Sequence, residues 1–167
     1  MRQKHPYICG ALLLTALLAI PVFYALGQAG GPTFHPKGDN EKDGISFLEN
    51  QWPAAREKAA AEHKYIFVDA YATWCGPCKL LKQTTFKDKG VVAFFNEHFI
   101  NVSQDVEKGQ GPELASGWKI TGLPTLIIFD AAGQPVLESI GFLRPEDLLA
   151  FARQALEKGV KPLKSGE

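Results

Sequence analysis

Apolar residues follow three different rhythms along this chain. From Ile8 to Leu26 they form one uncharged run, with a leucine- and alanine-rich heart from Ala11 to Ile20 that Pro21 interrupts. Residues 28–44 then hold almost no apolar content and are rich in Gly, Pro, Asn, Asp and Lys, the composition of a tether without a core of its own. Beyond them the rhythm alternates between strand-like and helix-like, which places a folded domain over residues 45–158 and a loose tail over 159–167. Ile45-Ser46-Phe47 predicts a short strand, and Pro53 followed by Ala54, Ala55, Ala59, Ala60 and Ala61 a helix with proline in its first turn. Tyr65 to Tyr71 is a run of strand formers, continuous enough to be buried on both faces, with a single acid, Asp69, inside it.

The spacing then predicts a helix from Cys75 through Lys82, with Asp88 capping a continuation through Val91, Val92, Phe94 and Phe95. A strand is expected over 98–105 and a short helix from Gly111-Pro112 to Trp118. Thr125 to Phe129 and Val136 to Ile140 read as a hairpin across Asp130-Ala131-Ala132-Gly133. Pro145 opens a last helix with Leu148, Leu149, Ala152, Ala155 and Leu156 on one face, and Gly159 ends it. Strands alternating with helices make an α/β layered domain.

The amino end changes the expected compartment. Arg2 and Lys4, then the apolar run, then small residues at Ala25, Gly27 and Ala29 follow the order of a secretory signal, with cleavage after Gly27 or Ala29. The same run is just long enough for an uncleaved anchor, with the basic end inside. Residues 1–27 are therefore a signal peptide or a signal anchor, and both readings export the domain to a periplasmic or extracytoplasmic space. Lysine and arginine total 18, as do aspartate and glutamate, and no basic stripe with interleaved aromatics suggests nucleic acid.

Three cysteines, Cys9, Cys75 and Cys78, exclude a multi-bridge scaffold. Cys9 lies in the leader and reads as passive. The close pair is either a local disulfide or a working redox centre. Zinc would require two more ligands, and His63 and His98 have no ligand spacing, so no metal is expected. Trp52 and Trp118 read as core or lid residues.

Trp74-Cys75-Gly76-Pro77-Cys78-Lys79 follows a strand and opens a helix. Unpaired N–H groups and the macrodipole at a helix start favour a thiolate at Cys75, and Cys78 lies one turn in, within bonding reach and shielded. Trp74 borders the pair and is a candidate substrate contact. Asp69, buried beneath the pair, is the candidate acceptor for the Cys78 proton. Pro124 stands at the mouth of a strand, where a cis bond would leave Leu123 with backbone groups free for an extended substrate segment.

In this order, Trp74-Cys75-Gly76-Pro77-Cys78, Asp69 and Leu123-Pro124-Thr125 resemble the thioredoxin family, over about Ile45 to Lys158. Thr85-Phe86-Lys87-Asp88, the loop from Asp105 to Gly111 and Ile140-Gly141-Phe142 are closer to the C-terminal domain of the DsbD thiol:disulfide interchange protein and related exported thioredoxins. The resemblance implies a thioredoxin-like fold, a central mixed five-stranded sheet flanked by four helices. It implies that Cys75 attacks and Cys78 resolves, that Pro124 is cis and stacks on the pair, and that Gly76, Pro77, Leu123 and Gly141 help form the docking surface. It also implies a monomer without cofactor, disulfide-bonded protein clients and a membrane electron donor of the DsbD kind. The Gly76-Pro77 dipeptide resembles that of thioredoxin and favours a protein-disulfide reductase. A client-binding or chaperone module with an inert disulfide is the alternative. Two departures from the family stand out: Tyr71 replaces a usual tryptophan, and Asn101, Val102 and Ser103 stand where cytosolic thioredoxins bring a lysine toward the buried acid. Asp69 is therefore expected to lack a cation.

Overall fold

A computed structural model describes residues 44–159. The leader, Cys9, nearly all of the tether and the tail lie outside the described residues. Five strands form one sheet: β1 (Phe47–Glu49), β2 (Tyr65–Tyr71), β3 (Phe99–Asp105), β4 (Thr125–Phe129) and β5 (Pro135–Ile140), in the order β1-β3-β2-β4-β5. β1, β3 and β2 run parallel, while β4 is antiparallel to both β2 and β5, so the sheet is mixed. The helices are α1 (Trp52–Glu62), α2 (Gly76–Gln83), α3 (Lys89–His98), α4 (Gly111–Gly117) and α5 (Pro145–Gly159). Among the described residues no helix is long and apolar enough to cross a membrane.

β2 is central, hydrogen-bonded on both edges, and its side chains divide between two cores. Ile66, Val68 and Ala70 point to one face, where Ala55 and Ala59 of α1 are fully buried beside Trp52, Ile127 and Phe129. Alanines one turn apart let α1 approach the strands closely. Trp52 meets Trp118 edge-on with centroids 5.0 Å apart and Phe129 at 4.8 Å, so both tryptophans belong to this core. Phe67 points to the opposite face, packed with Leu81 of α2, Phe95 of α3, Leu148 and Ala152 of α5, and Leu126 and Ile128 of β4. Asp69, two residues on, lies on this second face.

Three expectations need correction. The first strand starts at Phe47 and not at Ile45, whose N–H donates to the Phe86 carbonyl at 3.0 Å while Phe47 begins the pairing with Asn101 of β3. The helix from Cys75 does not continue to Phe95. Thr84 leaves helical geometry (φ −121°, ψ −79°), with its hydroxyl donating to the Leu80 carbonyl at 2.7 Å, and a single 3₁₀ turn, Thr85–Lys87, follows. α3 then starts afresh on Asp88, whose carboxylate accepts from the Gly90 and Val91 amides at 2.9 and 3.0 Å. The break gives five α-helices where four were expected.

Candidate active site

α2 sets the geometry of the cysteines. Cys75 is its N-cap with extended backbone (φ −71°, ψ 111°), and its Sγ accepts from the Cys78 amide at 3.2 Å. Pro77 sits in the first turn, where its missing N–H leaves no gap in the helix ladder. The two sulfurs are joined in a disulfide of 2.02 Å. Cys78 is enclosed, as its place one turn inside the helix predicts. Cys75, expected at an exposed helix start, is 3% accessible as a residue in this oxidised state, because Tyr71, Val106 and Leu123 pack around the pair. Access is left at Gly76, where a side chain would meet nothing within 4 Å, and Pro77 beside it is exposed.

Two other segments meet this end of the sheet. The Leu123–Pro124 bond is cis, Pro124 is buried, and Leu123 touches the cysteine pair. The Gly141 amide donates to the Pro124 carbonyl at 2.7 Å, and Gly141 adopts φ +100°, a backbone state that side chains rarely take. Trp74 is exposed and its indole N–H donates to Glu107 Oε1 at 2.9 Å. That bond ties Trp74 to the 105–111 loop, which carries Val106 to the disulfide. Thus the expected residues Trp74, Cys75, Gly76, Pro77, Cys78, Leu123, Pro124 and Gly141 lie in three segments at one end of the sheet.

Asp69 is fully buried in β2, opposite Ser103 of β3 and Leu126 of β4. Burial raises its carboxyl from the ordinary 3.8 to about 7, against the Lys82 charge and the Ser103 hydroxyl, which favour the ionised form. Glu49 adds a smaller push upward.

Lys82 corrects the expectation that Asp69 lacks a cation. Its Nζ lies 4.0 Å from Asp69 Oδ2, 3.1 Å from Ser103 Oγ and 3.3 Å from the Tyr71 ring centroid. The cation comes from α2 rather than from β3, and Tyr71 presents its ring to it. The spacing held the signal: Lys82 follows Cys78 by four residues and so lies one turn along the same helix face. Glu107 and Val106 were also missed as parts of the site, since only the loop's course brings them there.

Comparisons with known proteins bear on the family and the fold. A model of the thioredoxin-like domain matches residues 52–156. The chain belongs to the thioredoxin-like family. It is similar to the thiol:disulfide interchange protein DsbD of Actinobacillus pleuropneumoniae, 32% identical over 98 residues, which are 57% of this chain and 17% of that protein. It is also 27% identical over 111 residues to the protein disulfide-isomerase of Triticum aestivum, covering 66% of this chain and 22% of that one. The chain thus spans less than a quarter of the length of either relative. Among solved structures, a candidate disulphide-isomerase from Bacteroides thetaiotaomicron superposes with a TM-score of 0.62 at 38% identity, covering 74% of this chain and 98% of the other. A thioredoxin from Thermus thermophilus gives a TM-score of 0.62 at 25% identity, covering 70% and 92%. These thioredoxin-like neighbours share the mixed five-stranded fold.

Proposed function

We propose that this chain is an exported thiol–disulfide oxidoreductase that reduces disulfide-bonded protein clients. The observation that carries the reading is the Cys75–Cys78 pair at the start of α2, with the fully buried Asp69 on the sheet face that α2 covers. In the reduced enzyme the Cys75 thiolate attacks one sulfur of a client disulfide. A Cys75–client bond forms, the client S–S bond breaks, and the first client sulfur leaves as a thiolate that takes a proton from solvent. The Cys78 thiol then gives its proton to the Asp69 carboxylate, and the resulting thiolate attacks Cys75 Sγ. The Cys75–Cys78 disulfide forms and the second client thiolate departs. Two electrons have moved from enzyme to client, and an external dithiol must return them.

Trp74, Gly76, Pro77, Leu123, Pro124 and Gly141 form the proposed docking surface around Cys75, with Leu123 offering backbone groups to an extended client segment. Export rests on the basic, apolar and small-residue order of the leader. An oxidising compartment in turn calls for a membrane electron donor of the DsbD kind, and the Gly76-Pro77 dipeptide supports the reducing direction.

The test is the reduction of insulin by dithiothreitol, followed as turbidity. The parent shortens the lag, and Cys75→Ser removes the effect. A parent that only delays precipitation is a client-binding module, and the enzymatic reading falls. Cys78→Ser, which stops at the mixed disulfide, captures the clients covalently for identification.

A further inference from the structure

Asp69 has two carboxylate oxygens, and they face different surroundings. Ser103 Oγ lies 3.4 Å from Oδ2, and Lys82 Nζ is 4.0 Å from the same oxygen. Oδ1 has no hydrogen-bond partner among the described residues. The direction of the bonds follows from donor chemistry. An ammonium only donates, so at 3.1 Å Lys82 must give a hydrogen to Ser103 Oγ. The Ser103 hydroxyl hydrogen is then free for Asp69, and Oδ2 accepts it. An oxygen that accepts from a hydroxyl and faces an ammonium is the poorer place for a further proton.

We propose that Lys82 and Ser103 are positioning residues for Asp69, holding Oδ2 as the anchored oxygen and leaving Oδ1 as the atom that takes the proton from Cys78. This rests on the exchange reading above and names the device that makes its base usable. Lys82 is fixed from two sides, by Ser103 of β3 and by the Tyr71 ring of β2. Its side chain is 35% accessible, and it lines a cleft of about 180 Å³ together with Glu49, Phe86 and Lys87. Among the described residues, the charged and titratable groups that act on Asp69 are Lys82 from α2, Glu49 from β1 and Tyr71 from β2, with the Cys78 thiol of α2 added in the reduced enzyme. Glu49 opposes Lys82, and Lys87 lies at the same cleft. Without Lys82, Asp69 would keep its burial and its acidic neighbour and lose its compensating charge.

The consequence is a dependence on pH. Removing an opposite charge at this distance moves a carboxyl upward by about one pH unit when the partner is partly solvated. Around pH 7 that shift cuts the ionised fraction about five-fold. The experiment measures single-turnover resolution of a preformed Cys75 mixed disulfide between pH 5 and 10, together with the carbon-13 shift of the Asp69 carboxyl. In Lys82→Met the midpoint should rise by about one pH unit and the rate at pH 7 should fall about five-fold, meeting the parent above pH 9. Lys82→Arg should return the midpoint toward the parent value, and Ser103→Ala should move it up by less than Lys82→Met does. In an Asp69→Asn background, Lys82→Met should change nothing further.

An unchanged profile in Lys82→Met overturns the proposal, as does a uniform loss at every pH, which would mark a structural role. If Asp69→Asn resolves at the parent rate, there is no base to position and the proposal falls, while thiol–disulfide exchange stands. The broader reading is removed by different results: insulin reduction retained in Cys75→Ser, or a parent that only delays precipitation.

Discussion

Replacing Asp69 with asparagine separates the stability of this protein from its chemistry. The carboxyl titrates near 3.8 in an unfolded chain and near 7 in the fold, a difference of roughly three pH units. Each is worth about 1.4 kcal/mol, so the charged side chain costs the fold on the order of 4 kcal/mol. The sign follows from proton counting. Between pH 4 and 7 the native state holds a proton that the unfolded state has lost, so stability falls as pH rises through this window. Below about 4 both states are protonated, and above about 7 both are ionised, where the cost is at its full value. Asparagine has the shape of the acid without this titration. Urea unfolding of the oxidised protein at pH 4, 5.5, 7 and 8.5 should therefore give curves that differ little at pH 4. By pH 8.5 Asp69→Asn should be ahead by about 4 kcal/mol, less whatever its amide loses toward Lys82. The same variant should resolve a mixed disulfide more slowly near neutral pH, because Cys78 has lost its proton acceptor. A stability difference that is constant across pH, or a less stable Asp69→Asn with parent exchange rates, would refute the reasoning and make Asp69 a structural acid.

Other consequences follow from the same packing. In the reduced protein, iodoacetamide at pH 7 should modify Cys75 at least about ten-fold faster than Cys78, because only Cys75 is the helix N-cap; equal rates would reverse the assignment. Gly111→Ala should cost about 3 kcal/mol in urea unfolding, since a Cβ there runs into the Asp105 carbonyl and the Val106 backbone. Trp52→Ala should cost about 4 kcal/mol by opening the contact with Trp118 and Phe129, while leaving the pH dependence of exchange unchanged.

Much of the fold was legible because β4 is an unbroken run of strand formers and β2 is broken only near Asp69, and because the apolar spacing of α5 repeats with the helix period. Asp69 was legible for the converse reason: one acid in an otherwise apolar strand has no solvent to face. Lys82 was not. Beside Lys79 on a short helix it reads as a solvated charge, and only the approach of α2 to β2 and β3 turns it inward. The break after α2 was hidden because Thr84 has no strong local signal, and its side chain competes for a helix carbonyl only once the turn is formed. The reach of Val106 to the cysteine cluster and of Glu107 to Trp74 depends on a loop bound at Gly111, where a backbone approach too close for any side chain sets its course.

The separation of the two cores also divides the protein optically. Trp52 and Trp118 share an aromatic cluster on the α1 face, whereas Trp74 is 67% accessible and adjoins Cys75 in the chain. Indole emission from Trp52 and the partly buried Trp118 reports whether the α1 face is assembled. Emission from Trp74, red-shifted by water, should change on reduction if the adjoining disulfide quenches it, and would then report whether the sulfurs are joined. One fluorescence spectrum therefore carries two independent signals, and a Trp74→Phe variant keeps the folding signal while silencing the redox one.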